Sequence, residues 1–420
     1  MTKARQKDPH RYGKNAAMVK KRRLLQSYAQ FSPLMRGELL PCALVDLDAV
    51  DANVSAIASK LASKKIRIAT KSIRCPDLVR TIQSKLGDAA RGLMTYTATE
   101  TAFWAKEGER DLLLAYPTMS SGDAKLLAQL NRNGNRDGTT AAVVVDCEAH
   151  LAPLAEAARA AKTTIPLIVE IDLAFRPLGS LVHLGVRRSP LRDAQAVVTL
   201  AKKIAASDGL RFHGVMGYEA QIAGLSDSDV ATRAMKAVSR SDVARTRSEV
   251  ARALVEAGLA PTVFNGGGSG SLVSSVKEEC LTEVTAGSGF LDSHLFDAYD
   301  DLDLVPAIFF ALQVVRQPTD DIVVCHGGGF IASGKSGADR APIPWLPEGL
   351  SLLPLEGAGE VQTPISLKTS QIVNLGDPIF FRHAKAGELA EHFNDYLFVR
   401  GDKIVGRAQT YRGLGHAFLG

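Results

Sequence analysis

The sequence predicts an α/β fold: a TIM-type (β/α)8 barrel followed by a separate C-terminal β-rich domain. Three observations carry the prediction. From residue 65 onward, short apolar runs of strand-forming residues alternate with longer amphipathic stretches, the pattern of a parallel sheet with crossover helices. Eight such alternations fill about 220 to 250 residues, the size and order of a closed barrel. After about residue 305 the texture changes to hairpin-like segments. A doubly wound open sheet is the competing arrangement, because periodicity alone does not show closure.

The elements follow in chain order. Residues 1–39 form a basic extension: the first 37 residues hold ten Lys or Arg and one acid, Asp8, so they carry +9 and the remainder 5 − 9 = −4. Such a segment can contact nucleic acid or an anionic surface. No aromatic-basic motif follows it, so the favoured reading is a solvated helical arm, "AMVKKRRLLQSYAQF", laid on its own protein, and no nucleic-acid partner is expected. Residues 40–304 are assigned to the barrel. Strand-like "CALVDLD" (42–48) leads into the first barrel helix, "DAVDANVSAIASKLAS", with its opening Asp as N-cap.

The eight barrel strands are expected at "IRIATK" (66–71), "GLMTYT" (92–97), "DLLLAY" (111–116), "AAVVVDC" (141–147), "PLIVEIDL" (166–173), "FHGVMGY" (212–218), "TVFN" (262–265) and "LTEVTAG" (281–287). Ala/Leu-rich helical stretches separate them, among them "EAHLAPLAEAARAAK" and "SDVARTRSEVARALVEAG", the latter closing on a Gly C-cap. Residues 305–420 form the C-terminal β domain, with strands in "AIFFALQVV", "DIVVCHGGGF" and "PIFFRHA", and "YLFV" joined to "KIVGRAQTY" across "RGD".

Composition sets the broad class. With 46% hydrophobic and 23% charged residues the chain can bury a large core, and no window reaches the 18 or more apolar residues of a bilayer span. A cytoplasmic protein with no membrane partner is expected. Five cysteines, Cys42, Cys75, Cys147, Cys280 and Cys325, form no C-x-x-C pair and read as reduced thiols; Cys75, four residues after Lys71, reads as a buried packing residue.

Catalytic groups of a β/α barrel come from the C-terminal ends of its strands, and phosphate is often held after strands 7 and 8. Strand 1 ends in Lys71, strand 5 in Asp172, strand 6 in Tyr218, strand 7 in Asn265 before "GGGSGS", and strand 8 in Thr285 before "AGSGF". Glycine permits close approach and positive φ, so residues 266–271 can turn several N–H groups on one anion, and a following helix N-terminus would add its dipole. Alone, a glycine run is a flexible turn and a strand-end lysine is a solvated one. Together, a lysine on strand 1 facing an anion cradle on strands 7 and 8 supplies what pyridoxal 5′-phosphate needs, an amine nucleophile and a phosphate anchor.

At these residues the sequence resembles the pyridoxal phosphate enzymes of alanine-racemase fold, in the branch of the D-threonine aldolases and D-serine dehydratases. The resembling segments are "PCALVDLDAVDANV", "ATKSIRCP", "GYEAQIAG", "FNGGGSGSL" and "TEVTAGSGFLD", covering roughly residues 40 to 300. The resemblance implies that Lys71 holds the cofactor as a Schiff base and acts as a base at the substrate carbon. Tyr218 would lie against the pyridine ring, Asn265 beside it, and Gly267, Gly268, Ser269, Gly287 and Ser288 would hold the phosphate. Arg187 and Arg188 would offer a cation to the phenolic oxygen or the substrate carboxylate; the other reading is of surface arginines.

Two departures qualify it. Racemases of this fold place an arginine against the pyridine nitrogen where this chain has Thr285, which counts against a racemase. The aldolase and dehydratase branch has a His-x-Cys or His-x-Asp pair for a divalent metal; "RHAKAGELAEHFND" supplies His383, but Lys385 stands in the second ligand's place. A protonated lysine has no lone pair to give a metal. Glu388 or His392 could substitute, or His383 could act as a general acid on a leaving hydroxyl. The expected activity is a lyase acting on D-amino acids with a β-hydroxyl, by aldol cleavage or by dehydration, with a racemase or a non-catalytic cofactor carrier as rivals. A small amino acid substrate and, from the resemblance, a homodimer are the expected partners.

Overall fold

The computed structural model describes residues 27–419 except 178, 180, 228, 302 and 369–372; most of the basic extension lies outside the described residues. Strand β1 (Cys42–Asp46) comes first, and eight parallel strands then close into a barrel: β2 (Lys65–Ala69), β3 (Ala90–Thr95), β4 (Asp111–Leu114), β5 (Thr140–Val145), β6 (Ile165–Glu170), β7 (Leu210–Gly217), β8 (Val263–Gly266) and β9 (Glu283–Ala286). The seam is the β2–β9 ladder, with Arg67 opposite Thr285 and Ile68 opposite Ala286. Closure rather than an open sheet is therefore the outcome, and all eight expected strands are present.

Helix ends explain where the outer layer starts and stops. The first barrel helix, Leu47–Ala58, begins before Asp48: its N-cap is Asp46, whose carboxylate accepts from the N–H groups of Asp48 (2.9 Å) and Ala49 (3.2 Å). The long helix Val230–Glu256 is capped by Asp229 and gives way at Ala257 to Gly258, whose φ of +74° suits glycine.

The barrel floor is polar. Arg67 is 1% exposed and donates to both carboxylate oxygens of the fully buried Glu283 (2.6 and 2.9 Å) and to Asp111 (2.7 Å). Burial would drive the guanidinium toward neutrality, but Glu283 and Asp111 hold its pKa above the ordinary arginine value.

The second sheet contains β10 (Ile308–Thr319), β11 (Ile322–His326), β12 (Ile343–Leu346), β13 (Ser351–Leu352), β14 (Gln362–Ser366), β15 (Pro378–Arg382), β16 (Asp395–Arg400) and β17 (Lys403–Gln409). Its main path runs β13-β14-β11-β10-β1-β16-β17, with β15 pairing β10 and β12. The expected hairpins form: β10 with β11, and β16 with β17 across the turn at Gly401. β1 lies within the span 40–304 expected for the barrel, yet its ladder belongs here, antiparallel to β10 and parallel to β16. Its two free edges match those of β10 and β16, whereas the closed barrel offers none.

The described end of the extension, helix Tyr28–Leu34, packs on this second sheet: Phe31 is 1% exposed and stacks edge-on to Phe309 at 5.5 Å. Burying such a ring contributes about 1.5–3 kcal/mol. No helix among the described residues is long and apolar enough to cross a membrane. All five cysteines are free thiols, and Cys75 is fully buried, its thiol pushed up to about 12 by burial.

Candidate active site

Lys71 is not the last residue of a strand. β2 stops at Ala69, and Thr70–Ser72 wind into one 3₁₀ turn because the Thr70 carbonyl accepts from the N–H groups of both Ile73 and Arg74. The turn aims the lysine across the barrel mouth. Its Nζ donates to the Tyr116 hydroxyl at 3.2 Å and stands 5.9 Å from that ring's centre. Arg74 holds the turn from below by donating to the Lys71 carbonyl at 2.9 Å and pairing with Glu391 of the second domain.

A cavity of about 110 Å³ lies at the C-terminal mouth of the barrel. Its walls bring together Lys71, Arg188, Tyr218, Asn265, Gly267, Gly268, Ser269, Thr285, Gly287 and Ser288, with Tyr116 and Ser72 added. Arg188 stacks over the Tyr218 ring at 5.4 Å, while Arg187 is exposed and absent from the walls. Burial and the neighbouring Glu219 push the Tyr218 phenol up to about 12, so it stays neutral.

The two glycine loops form a built cradle. Gly267 sits at φ +86°, and a Cβ on Gly268 would come within 2.9 Å of the Tyr218 ring. Gly289 donates its N–H to Ser269 Oγ at 2.9 Å, tying the loop after β9 to the loop after β8. Beneath them Glu219 is 1% exposed and accepts from Ser271 Oγ (2.6 Å), Ser275 Oγ (2.7 Å) and Arg247. Burial raises its pKa, but the Arg247 charge and the two hydroxyls outweigh it and hold the carboxylate ionised. A following helix was expected to lend its dipole; only the 3₁₀ turn Ser269–Ser271 and the four-residue helix Leu272–Ser275 follow, too short to sum one. What the loops offer instead is the first N–H groups of the turns at Ser269 and Ser288, both on the cavity wall, where helical pairing supplies no acceptor.

Thr285 is 6% exposed and its Oγ1 lies 2.8 Å from Asn265 Nδ2, which also donates to Glu283 Oε1 at 2.7 Å. Neutral groups therefore face the cavity here, and Arg67, the ladder partner of Thr285, is spent on Glu283. Asp172 is not a cavity residue: it caps its own loop by accepting from the Ala174 N–H (3.0 Å) and Arg176 (2.5 Å).

Lys71, Ser72, Tyr218 and Ser288 also line a larger cavity of about 680 Å³ between the barrel and the second domain. Its far wall carries Arg340, Lys385 and Glu388. His383 is 2% exposed and lines neither cavity; burial, His294 and Arg382 hold its pKa well below the usual histidine range. Sequence reasoning missed Tyr116 and Arg340. Tyr116 carried a signal, since it closes the third expected barrel strand; Arg340 carried none, because folding alone brings its loop to the barrel.

An amine at the mouth, a cradle of turn N–H groups and a flat aromatic wall fit pyridoxal 5′-phosphate. The donor pair for a metal does not fit: Lys385, bonded to Glu388, stands in the second ligand's place, and His383 lines neither cavity.

The family model of the alanine racemase N-terminal domain matches residues 45–291. The chain is 28% identical over 307 residues to a 3-hydroxy-D-aspartate aldolase of Paracoccus denitrificans (strain Pd 1222), covering 71% of this chain and 74% of that one. The fold is similar to that of D-threonine aldolase from Filomicrobium marinum, with a TM-score of 0.77 at 22% identity over 89% of this chain and 95% of the other. It is also similar to a D-threo-3-hydroxyaspartate dehydratase variant in its metal-free form, with a TM-score of 0.73 at 18% identity over 89% and 97% of the two chains.

Proposed function

The chain belongs to the alanine racemase N-terminal domain family, and on that premise we propose that it is a pyridoxal 5′-phosphate-dependent lyase of D-amino acids that carry a β-hydroxyl. The carrying observation is the wall of the mouth cavity, where Lys71, bonded to Tyr116, faces the loops after β8 and β9. Relatives named for aldol cleavage or dehydration of D-β-hydroxy amino acids support the substrate class.

Pyridoxal 5′-phosphate, when bound, draws electrons from the substrate's α-carbon and weakens the bonds there. Lys71 would hold it covalently and move the proton at that carbon. Tyr116 orients the Lys71 amine through its hydroxyl. Ser269 and Ser288 would receive the phosphate on backbone N–H groups, and Tyr218, braced by Arg188, would flank the ring. Thr285 and Asn265 present no cation to the ring nitrogen, which counts against racemisation.

The test is direct. Borohydride should fix the cofactor on Lys71, found by peptide mapping, and Lys71→Ala should lower turnover by about 10³-fold or more. Release of an aldehyde or of a keto acid from D-β-hydroxy amino acids then separates cleavage from dehydration. Enantiomer exchange with neither product would overturn the lyase reading.

A further inference from the structure

We propose that the Lys385–Glu388 ion pair supplies the cation facing the substrate's β-oxygen, and that this protein works without a divalent metal ion. The inference rests on the lyase reading and specifies the equipment of the same site. It starts from the misfit of the metal donor set. The place of a second ligand after His383 holds Lys385, whose Nζ donates to Glu388 Oε1 at 3.1 Å and Ser333 Oγ at 2.8 Å. An ammonium repels a metal ion and offers it no lone pair.

The substitutes are committed elsewhere. Both Glu388 oxygens are engaged, Oε2 by the Ser333 N–H and Oε1 by the Ser333 hydroxyl, each at 2.6 Å. His392 lies against the Phe330 ring with centres 4.7 Å apart. His383 lines neither cavity, and the guanidinium next to it in sequence, Arg382, is fully buried.

Lys385 is nonetheless in the right place. It shares the walls of the 680 Å³ cavity with Lys71 and Tyr218. The helix that follows it, Ala386–Ala390, seats Gly387 on the Lys71 backbone, so the ion pair and the Schiff-base lysine are positioned by one contact. An ammonium has three N–H groups; among the described residues two acceptors take two of them, which leaves the third for an oxygen ligand. Glu388, three residues on, pairs with the lysine and lines the same cavity, so the charged head is held at the cavity wall.

The test uses the full-length protein purified with its cofactor. Bound metal is measured by plasma mass spectrometry, and turnover of a panel of D-β-hydroxy amino acids is compared before and after chelation. The expected result is substoichiometric metal and unchanged turnover, with Lys385→Met lowering kcat/KM by about 10²-fold or more while cofactor absorbance persists. Lys385→Arg should recover part of the loss. One divalent ion per chain, turnover abolished by chelation and restored by added manganese or zinc, or a Lys385→Met enzyme as active as the parent would overturn it. The lyase reading fails separately, by absent turnover across the panel in any metal.

Discussion

Gly387 of the second domain rests directly on the backbone of Lys71: a Cβ there would overlap the Lys71 carbonyl oxygen and lie 2.9 Å from its carbon. The contact joins two segments more than three hundred residues apart and fixes the turn that carries the reactive amine. Gly387→Ala should therefore cost about 1–3 kcal/mol of stability, because the obstacle is backbone and no rotamer change relieves it. Thermal unfolding measures that loss, and the absorbance of the lysine-bound cofactor should fall with it.

Gly268→Ala tests the cradle without backbone strain. The new methyl would stand 2.9 Å from the Tyr218 ring and 3.3 Å from Ala223 Cβ, forcing the ring toward the cofactor's space. Cofactor affinity should drop by about 10- to 100-fold, a loss of about 1.4–2.8 kcal/mol. Equilibrium titration with pyridoxal phosphate reads it, and an unchanged affinity would remove Gly268 from the cradle.

Arg67→Met would take the two-pronged guanidinium from the fully buried Glu283, leaving it the longer Arg91 contact at 3.5 Å, and should destabilise the protein by about 3 kcal/mol. Adding Glu283→Met should return much of that loss, since the stranded charge is the greater part of the penalty. Asp111, the second partner, is 41% exposed and contributes less. Denaturant unfolding of the two single variants and the double variant checks the pattern.

Glu100 gives a pH prediction. It is fully buried, and burial pushes its carboxyl up to about 7 from 4.5, despite hydrogen bonds from the Tyr96 N–H (2.8 Å) and the Tyr411 hydroxyl (2.7 Å). The folded pKa is the higher one, so the folded state binds the extra proton between these values. Its stabilising contribution is complete below about pH 4.5 and is lost as pH rises through about 7. Glu100→Gln should flatten that fall by up to about 3 kcal/mol. Unfolding free energies of parent and variant at pH 5 and pH 8 measure it; equal slopes would refute the assignment.

How far the site was legible depends on the range of the interaction. Lys71, Tyr218 and the two glycine loops could be found because barrel strands deliver their C-terminal ends to one mouth, so strand order alone assigns them a common place. The exact seat of Lys71 could not: a 3₁₀ turn at Thr70–Ser72 and a strand end look the same in a run of apolar and polar residues. Likewise β1 reads as a strand from "CALVD", but only edge complementarity puts it between β10 and β16.

Local pattern was enough for the eight barrel strands, the hairpins of the second domain and most residues at the mouth, because periodicity and turn chemistry act over a few residues; closure of the barrel came from the β2–β9 ladder between distant segments. Folding in three dimensions decided the rest. It buried His383 so that it lines neither cavity, brought Tyr116 to the Lys71 amine, and seated Gly387 on Lys71 so that Lys385 and Glu388 share its cavity. Those outcomes rest on contacts between distant segments, where shape and charge complementarity, rather than local propensity, select the partner.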